Sequence, residues 1–199
     1  MIAAEIFNPA EVQAIDRVLA ITSWNLDHVR QVERLATALF DATRDRHGLD
    51  RGWRRLLSAA ALLHDVGYPT DPARHHKVSA RMIRTELGDP FKPRDIETIA
   101  LLARYHRKSV PSVKHRRFGT FGLAEQRHFI WVAGILRVAD GLDRAHARSV
   151  SHLEVSNLDN YLVVTVSPEV QDLDLAGATQ KRSLLERAAS MVVLIRAAQ

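Results

Sequence analysis

Ala59-Ala60-Ala61-Leu62-Leu63-His64-Asp65-Val66-Gly67-Tyr68-Pro69 decides how this chain reads. The unbroken Ala/Leu run predicts a buried helix. Gly67 and Pro69 close it, as a glycine and a following proline usually do. His64 and Asp65 therefore stand at the end of a core helix, held by packing and open to a cavity. An imidazole and a carboxylate together suit a divalent cation of intermediate hardness. The pair alone is weak evidence: 10 histidines and 14 aspartates in 199 residues yield about 0.7 such neighbours by chance. A solvated pair at a helix C-cap is the plain alternative, so the weight falls on the rest of the chain.

Outward from that helix the pattern is helical on both sides. Asn8-Pro9 predicts an N-cap with proline at the first helical position, followed by Val12, Ile15, Val18 and Leu19 at helical period. A second helix starts near Asn25 with the stripe Leu26, Val29, Val32, Leu35, Ala36, Leu39 and Phe40, and His28 lies beside it. Gly48 ends that helix and Asp50 caps the next. Beyond Pro69 a fourth helix carries His75, His76, Ser79, Met82 and Ile83 up to Gly88. A fifth runs from about Arg94 to Tyr105-His106, so a second apolar helix ends in a histidine. Residues 107–122 are basic and irregular, with Arg107, Lys108, Lys114, Arg116 and Arg117; they read either as a solvated loop or as a phosphate-attracting rim. A long apolar helix follows from roughly Leu123 to His146. Asp140 lies deep in it, and a carboxylate there is costly unless it is paired or binds a cation. Arg137 and Arg144 share its face, three residues before and four after. From Val150 the pattern turns β-branched and alternating. It predicts a hairpin around residues 157–160, a helix over 178–189 and a last strand over 191–195. The expected architecture is mainly α: a helical domain over residues 1–149 and a small α+β (ββαβ) unit over 150–199.

Bulk properties narrow the chemistry. Apolar residues make up 46% and charged residues 26%, ordinary values for a globular protein. The net charge of +5 favours anionic partners. There is no cysteine, so disulfides and thiolate sites are excluded and any metal is held by His, Asp or Glu. Glu5 interrupts the first apolar stretch and no basic start precedes it, which does not read as a leader. No apolar run is long enough to span a bilayer. Together these favour a soluble, cytoplasmic protein. Aromatic residues are few and no DNA-binding motif is present, which argues against nucleic acid.

His28, then His64-Asp65, then Asp140 resembles the ordered ligand set of the HD superfamily of metal-dependent phosphohydrolases, strengthened by Arg137-Val138-Ala139-Asp140. That resemblance implies a helical bundle gathering the four residues around one divalent ion, with His64 and Asp65 at its catalytic centre. Manganese, iron, cobalt, nickel or magnesium would serve. Members with two metals add two histidines between the pair and the last aspartate. His76 and His106 fit those places, with His75 an alternative to His76 because helix phase is open. Lys77, Arg107, Lys108, Arg137 and Arg144 are candidates to bind substrate phosphate.

A closer resemblance covers most of the chain from Leu26. Leu39-Phe40-Asp41, residues 59–67, His76-Lys77-Val78-Ser79-Ala80, residues 103–108 and residues 137–144 look like the C-terminal region of the exopolyphosphatase/guanosine pentaphosphate phosphatase family. The tail with Lys181 and Leu184-Leu185-Glu186 fits as well. The resemblance implies a nucleotide, guanosine polyphosphate or polyphosphate as ligand. It also implies a homodimer or docking onto an actin-like phosphatase. Two departures stand out. These 199 residues contain no actin-like domains with their glycine-rich phosphate loop, and the family's His-x-His-Ser stretch reads His76-Lys77-Val78-Ser79 here. The alternative to an enzyme is therefore a polyphosphate- or nucleotide-binding module without activity of its own.

Overall fold

The computed structural model describes residues 6–22, 24–169 and 173–198; residues 1–5, where leader character was sought, lie outside them. Helix α1 (Pro9–Thr22) starts at a reciprocal cap. Asn8 Oδ1 accepts from the Glu11 amide and Glu11 Oε2 from the Asn8 amide, both at 3.0 Å, which satisfies two otherwise orphaned donors. Asn25 caps α2 (Leu26–Ala42) by accepting from the His28 amide. The single-turn α3 (Arg44–His47) separates α2 from Gly48, so Gly48, at φ +64°, closes α3 rather than α2. Asp50 caps α4 (Arg51–Leu63) through the Trp53 amide. Then follow α5 (His75–Glu86), α6 (Pro93–Tyr105) and α7 (Leu123–Leu142).

Helix α4 is the centre of the bundle. Leu56 to Leu63 are all buried, as a helix apolar on every side must be. Its alanines, Ala59, Ala60 and Ala61, let α2, α6 and α7 approach it. Leu57 and Leu63 are fully buried, and truncating either to Ala costs about 2–5 kcal/mol. A second apolar knot pins the basic segment. Phe118 and Phe121 pack on Phe129 with ring centroids 5.2 and 5.7 Å away, and Tyr105 Oη bonds His115 Nδ1 at 2.7 Å. Residues 107–122 are thus fastened to α6 and α7.

The C-terminal elements are β1 (Val150–Leu158), β2 (Tyr161–Pro168), α8 (Ala176–Lys181), α9 (Ser183–Ala189) and β3 (Val192–Ala197). The hairpin pairs Leu158 with Tyr161 across a tight turn, and β3 adds parallel to β2. Where one helix was expected there are two, divided at Arg182, so the unit is ββααβ. The long seventh helix is also shorter than expected. It stops at Leu142 because Asp143 turns its carboxylate back onto the Arg148 amide, at 2.7 Å, instead of continuing the helix.

These elements are seated on α7. A Cβ at Gly141 would lie 2.5 Å from Ala178 Cα, and one at Gly134 would lie 2.8 Å from Leu185 Cα. Only hydrogen fits at either place, so backbone meets backbone. From the other side, Gln31 Nε2 and Arg34 Nη2 both donate to the Val150 carbonyl, tying α2 to β1.

Candidate metal centre

Five helix ends converge on one point. His28 comes from the first turn of α2, His64 and Asp65 from the end of α4, and His75 from the start of α5. His106 follows α6, and Asp140 lies in the last turn of α7. All six are at least nine-tenths buried. His28 Nε2 lies 3.9 Å from Asp65 Oδ2 and 3.8 Å from Asp140 Oδ1. His64 Nε2 lies 3.7 Å from Asp65 Oδ1 and 3.9 Å from Asp140 Oδ1. These gaps are too long for hydrogen bonds. They match the separation of about 3–4 Å between ligand atoms that each lie about 2.0–2.2 Å from a common ion.

The tautomers follow from the partners. His64 Nδ1 lies 2.7 Å from the Ala61 carbonyl, His75 Nδ1 2.8 Å from that of Pro72, and His106 Nδ1 2.7 Å from that of Ala103. A carbonyl only accepts, so each ring carries its proton on Nδ1 and turns a bare Nε2 inward. His28 does the same through Asp143 Oδ2 at 2.8 Å. A carboxylate behind a histidine is the usual support for a metal-binding imidazole.

His28 Nε2, His64 Nε2 and Asp65 Oδ1 are buried with no hydrogen-bond partner. Buried lone pairs without a donor are costly. A divalent ion would satisfy all three, so the residues fit one. Among the described residues three groups could hold an ion: His28, His64 and Asp140; His28, Asp65 and His146; and His64, Asp65 and His106. Beside the last, His75 Nε2 lies 3.2 Å from His106 Nε2 and 3.1 Å from Asp65 Oδ1. Three electron-rich atoms this close repel one another unless positive charge lies among them; Arg107 Nη1, 3.3 Å from His75 Nε2, supplies part of it at one edge.

Electrostatics keep the set in ligand form. Burial pushes His75 and His106 below the ordinary histidine value, which favours the neutral ring. Burial raises Asp65, but His64 and His106 reverse this and leave it below the usual carboxylate range. Burial likewise raises Asp140. The Lys181 ammonium, with His106 and His64, more than offsets that and holds it far below its ordinary value.

Asp65, His75, His106 and Asp140 of the cluster line a cavity of about 410 Å³, with Arg107, Lys108, Arg137 and Arg144 on its wall. Arg137 Nη1 donates to the Tyr105 carbonyl and Arg144 Nη1 to Gln180 Oε1. Among the described residues neither pairs with Asp140, although both are at helical spacing from it; Lys181 Nζ donates to Asp140 Oδ2 instead. Two expectations change. It is His75, not His76, that joins the cluster. Helix α5 turns about 100° per residue, which sends the His76 ring toward Arg104 instead. Lys77 does not line this cavity; it opens onto another.

Three residues were not expected here: Asp143, His146 and Lys181. Asp143 follows Asp140 by three residues, a spacing that already places it on the same side. His146 stacks on His28 at 3.9 Å between centroids. Its position depends on the left-handed backbone at 146 and 148, for which residues 146 and 148 carry no glycine as a signal. Lys181 is supplied by α8 through the Gly141–Ala178 contact.

Among the described residues no helix is long and apolar enough to cross a membrane. No curated protein matches the chain. The family model described as Ppx/GppA phosphatase, domain III, matches residues 13–175. That span includes every cluster residue from His28 to Asp140. With a mainly α fold, a small C-terminal sheet and a match over most of its length, the chain belongs to the Ppx/GppA phosphatase domain III family.

Proposed function

We propose that the protein is a metal-dependent phosphohydrolase of the HD type, acting on a phosphoester or phosphoanhydride. A nucleotide, a guanosine polyphosphate or polyphosphate would be its substrate. The observation that carries this reading is the convergence of three partnerless buried acceptors, His28 Nε2, His64 Nε2 and Asp65 Oδ1, under a cavity walled by cations. His28, His64, Asp65 and Asp140 would hold one divalent ion, and His75 and His106 would join Asp65 around a second. Such an ion polarises a phosphoryl oxygen and brings the pKa of bound water toward neutrality.

The chain's own residues supply the rest. Asp143 fixes the ring of His28 and Ala61 that of His64. Arg107, Lys108, Arg137 and Arg144 face the cavity and would neutralise phosphate oxygens as charge builds. Lys181 balances Asp140 and is the contribution of the C-terminal unit.

The test is to strip metal from the purified protein, restore manganese, iron, cobalt, nickel or magnesium in turn, and assay a broad phosphate panel. Turnover restored by one of them, and lost with the bound metal in His64→Ala, is expected. Elemental analysis beside the assay reads one ion per chain or two. A second reading draws on the family description, which names one domain of a phosphatase. On that reading the protein binds polyphosphate or a nucleotide, or docks on an actin-like phosphatase, without hydrolysis. No turnover with any metal, together with salt-sensitive polyphosphate binding that survives Asp140→Ala, decides for it.

A further inference from the structure

A second cavity, of about 500 Å³, lies between α5, α6 and the basic segment. Its size is in the range of about 300–1,000 Å³ common for small-molecule sites. Lys77, Arg84, Arg104, His115, Arg116 and Arg117 line it, over a floor that includes buried Ala80 and Leu101. No acidic residue lines it. The nearest compensation is Glu97, which takes a bidentate bond from Arg84 at 2.8 and 2.9 Å and a single bond from Arg117 at 3.2 Å.

Among the described residues, Lys77, Arg104 and Arg116 make no ion pair. Arg104 is the informative one. It is half-buried, and its Nη1 is fully buried without an acceptor. A guanidinium nitrogen left so is expensive, because arginine stays charged whatever its surroundings. Its ring contact is with the neighbouring Tyr105, 5.7 Å from the centroid, which supplies no hydrogen-bond acceptor. The surrounding cations are not loose either. The aromatic knot of Phe118, Phe121 and Phe129 and the Tyr105–His115 bond hold residues 115–117 against α6. The pocket is therefore pre-formed, which lowers the cost of binding.

We propose that this cavity is a second anion site, separate from the metal cluster, which binds the diphosphate group of inorganic pyrophosphate or of a nucleoside diphosphate. Three unpaired cations match the charge of an ionised diphosphate, and arginines bind phosphate oxygens in a bidentate fork. The site stands on its own geometry and does not require the metal cluster to be catalytic.

The test is calorimetric titration of sodium pyrophosphate, ADP and orthophosphate into the full chain at low salt. It uses wild type, Lys77→Gln/Arg116→Gln, Arg104→Gln and Asp140→Asn. Lys77 and Arg116 are exposed, so the double variant keeps its fold, which circular dichroism checks. We expect one diphosphate-binding event per chain. It weakens at least tenfold in the double variant and in Arg104→Gln, and persists in Asp140→Asn. ADP binding more tightly than pyrophosphate assigns the site to a nucleotide, and equal binding assigns it to the inorganic anion. Binding that is lost in Asp140→Asn but unchanged in the double variant belongs to the metal cluster and overturns the proposal. So does orthophosphate binding as tightly as pyrophosphate, or no binding to wild type.

Discussion

The two cavities share α5 and the end of α6 and differ in the polar atoms they leave without partners. On α5, His75 faces one and Lys77 the other; around the end of α6, Arg104 and Tyr105 line one while His106, Arg107 and Lys108 line the other. Residues two apart on a helix point about 200° round from each other, so neighbouring residues serve cavities on different sides of the same element. The first cavity lies over buried acceptors with no donor, His28 Nε2, His64 Nε2 and Asp65 Oδ1, and its wall also carries a buried donor with no acceptor, Arg137 Nε. The second has a buried donor with no acceptor, Arg104 Nη1. An orphaned lone pair calls for a cation, and an orphaned N–H for an anion. Unmet lone pairs therefore mark the first cavity, while unmet N–H groups mark both.

The largest expected effect falls on the cation side. His64→Ala removes a ligand atom and Asp65→Asn the anionic charge of one, and each should abolish metal retention. Turnover should drop by about 100-fold or more, read by elemental analysis and phosphate release. Asp143→Asn leaves every ligand atom in place but takes away the carboxylate behind His28. Metal affinity should weaken by about 10–100-fold, measured by competition with a chelator. If Asp143→Asn retains metal as wild type does, the orientation of His28 is set by packing alone. On the anion side, Lys77→Gln/Arg116→Gln should lower pyrophosphate affinity by about tenfold while metal content stays at the wild-type level. A fall in both would mean that the two cavities are one electrostatic site.

The smallest effect concerns α5 between His75 and Lys77. His76 is buried there with Nδ1 partnerless, and burial, aided by Arg104, pushes its pKa down to about 4. The unfolded chain takes up a proton near the ordinary histidine value while the folded chain refuses it until about pH 4. Stability contributed here is complete at neutral pH and is lost as pH falls through that window, by on the order of 1 kcal/mol. Denaturant titrations of His76→Leu should show a shallower loss across the same interval. An unchanged slope would place the acid sensitivity elsewhere.

The cation site was far more legible from sequence than the anion site. A histidine or aspartate at the end of an Ala/Leu helix is anomalous, because burial there has to be answered by a partner. His64, Asp65 and His106 could be picked out on that ground, Asp140 by its depth in an apolar helix, and His28 through the resemblance to the HD ligand order. The choice between His75 and His76 turned on helix phase, which depends on where α5 begins. Its start at His75 follows from the turn over Asp71 and Arg74. Charge runs carry no such anomaly. Arg107 and Lys108 line one cavity and Arg116 and Arg117 the other, and only the aromatic knot decides which. Lys181 was invisible for a different reason. Its place depends on two backbones touching across 36 residues of chain, between Gly141 and Gly177. The fold class, by contrast, was plain, because helical periodicity ran through to α7 and alternation began at β1. The single-turn α3, the early stop of α7 at Leu142 and the division of the last helix at Arg182 went unseen, the last because α8 and α9 meet without a breaker residue.

The seam between Gly141 and Gly177 works as a joint with no slack. A Cβ at Gly177 would lie 2.6 Å from the Gly141 carbonyl oxygen, and Lys181 sits one helical turn farther along. Widening the joint swings that lysine like the end of a lever. The charge balance of a carboxylate is thereby governed by the thickness of a hinge plate that contains no charged atom at all.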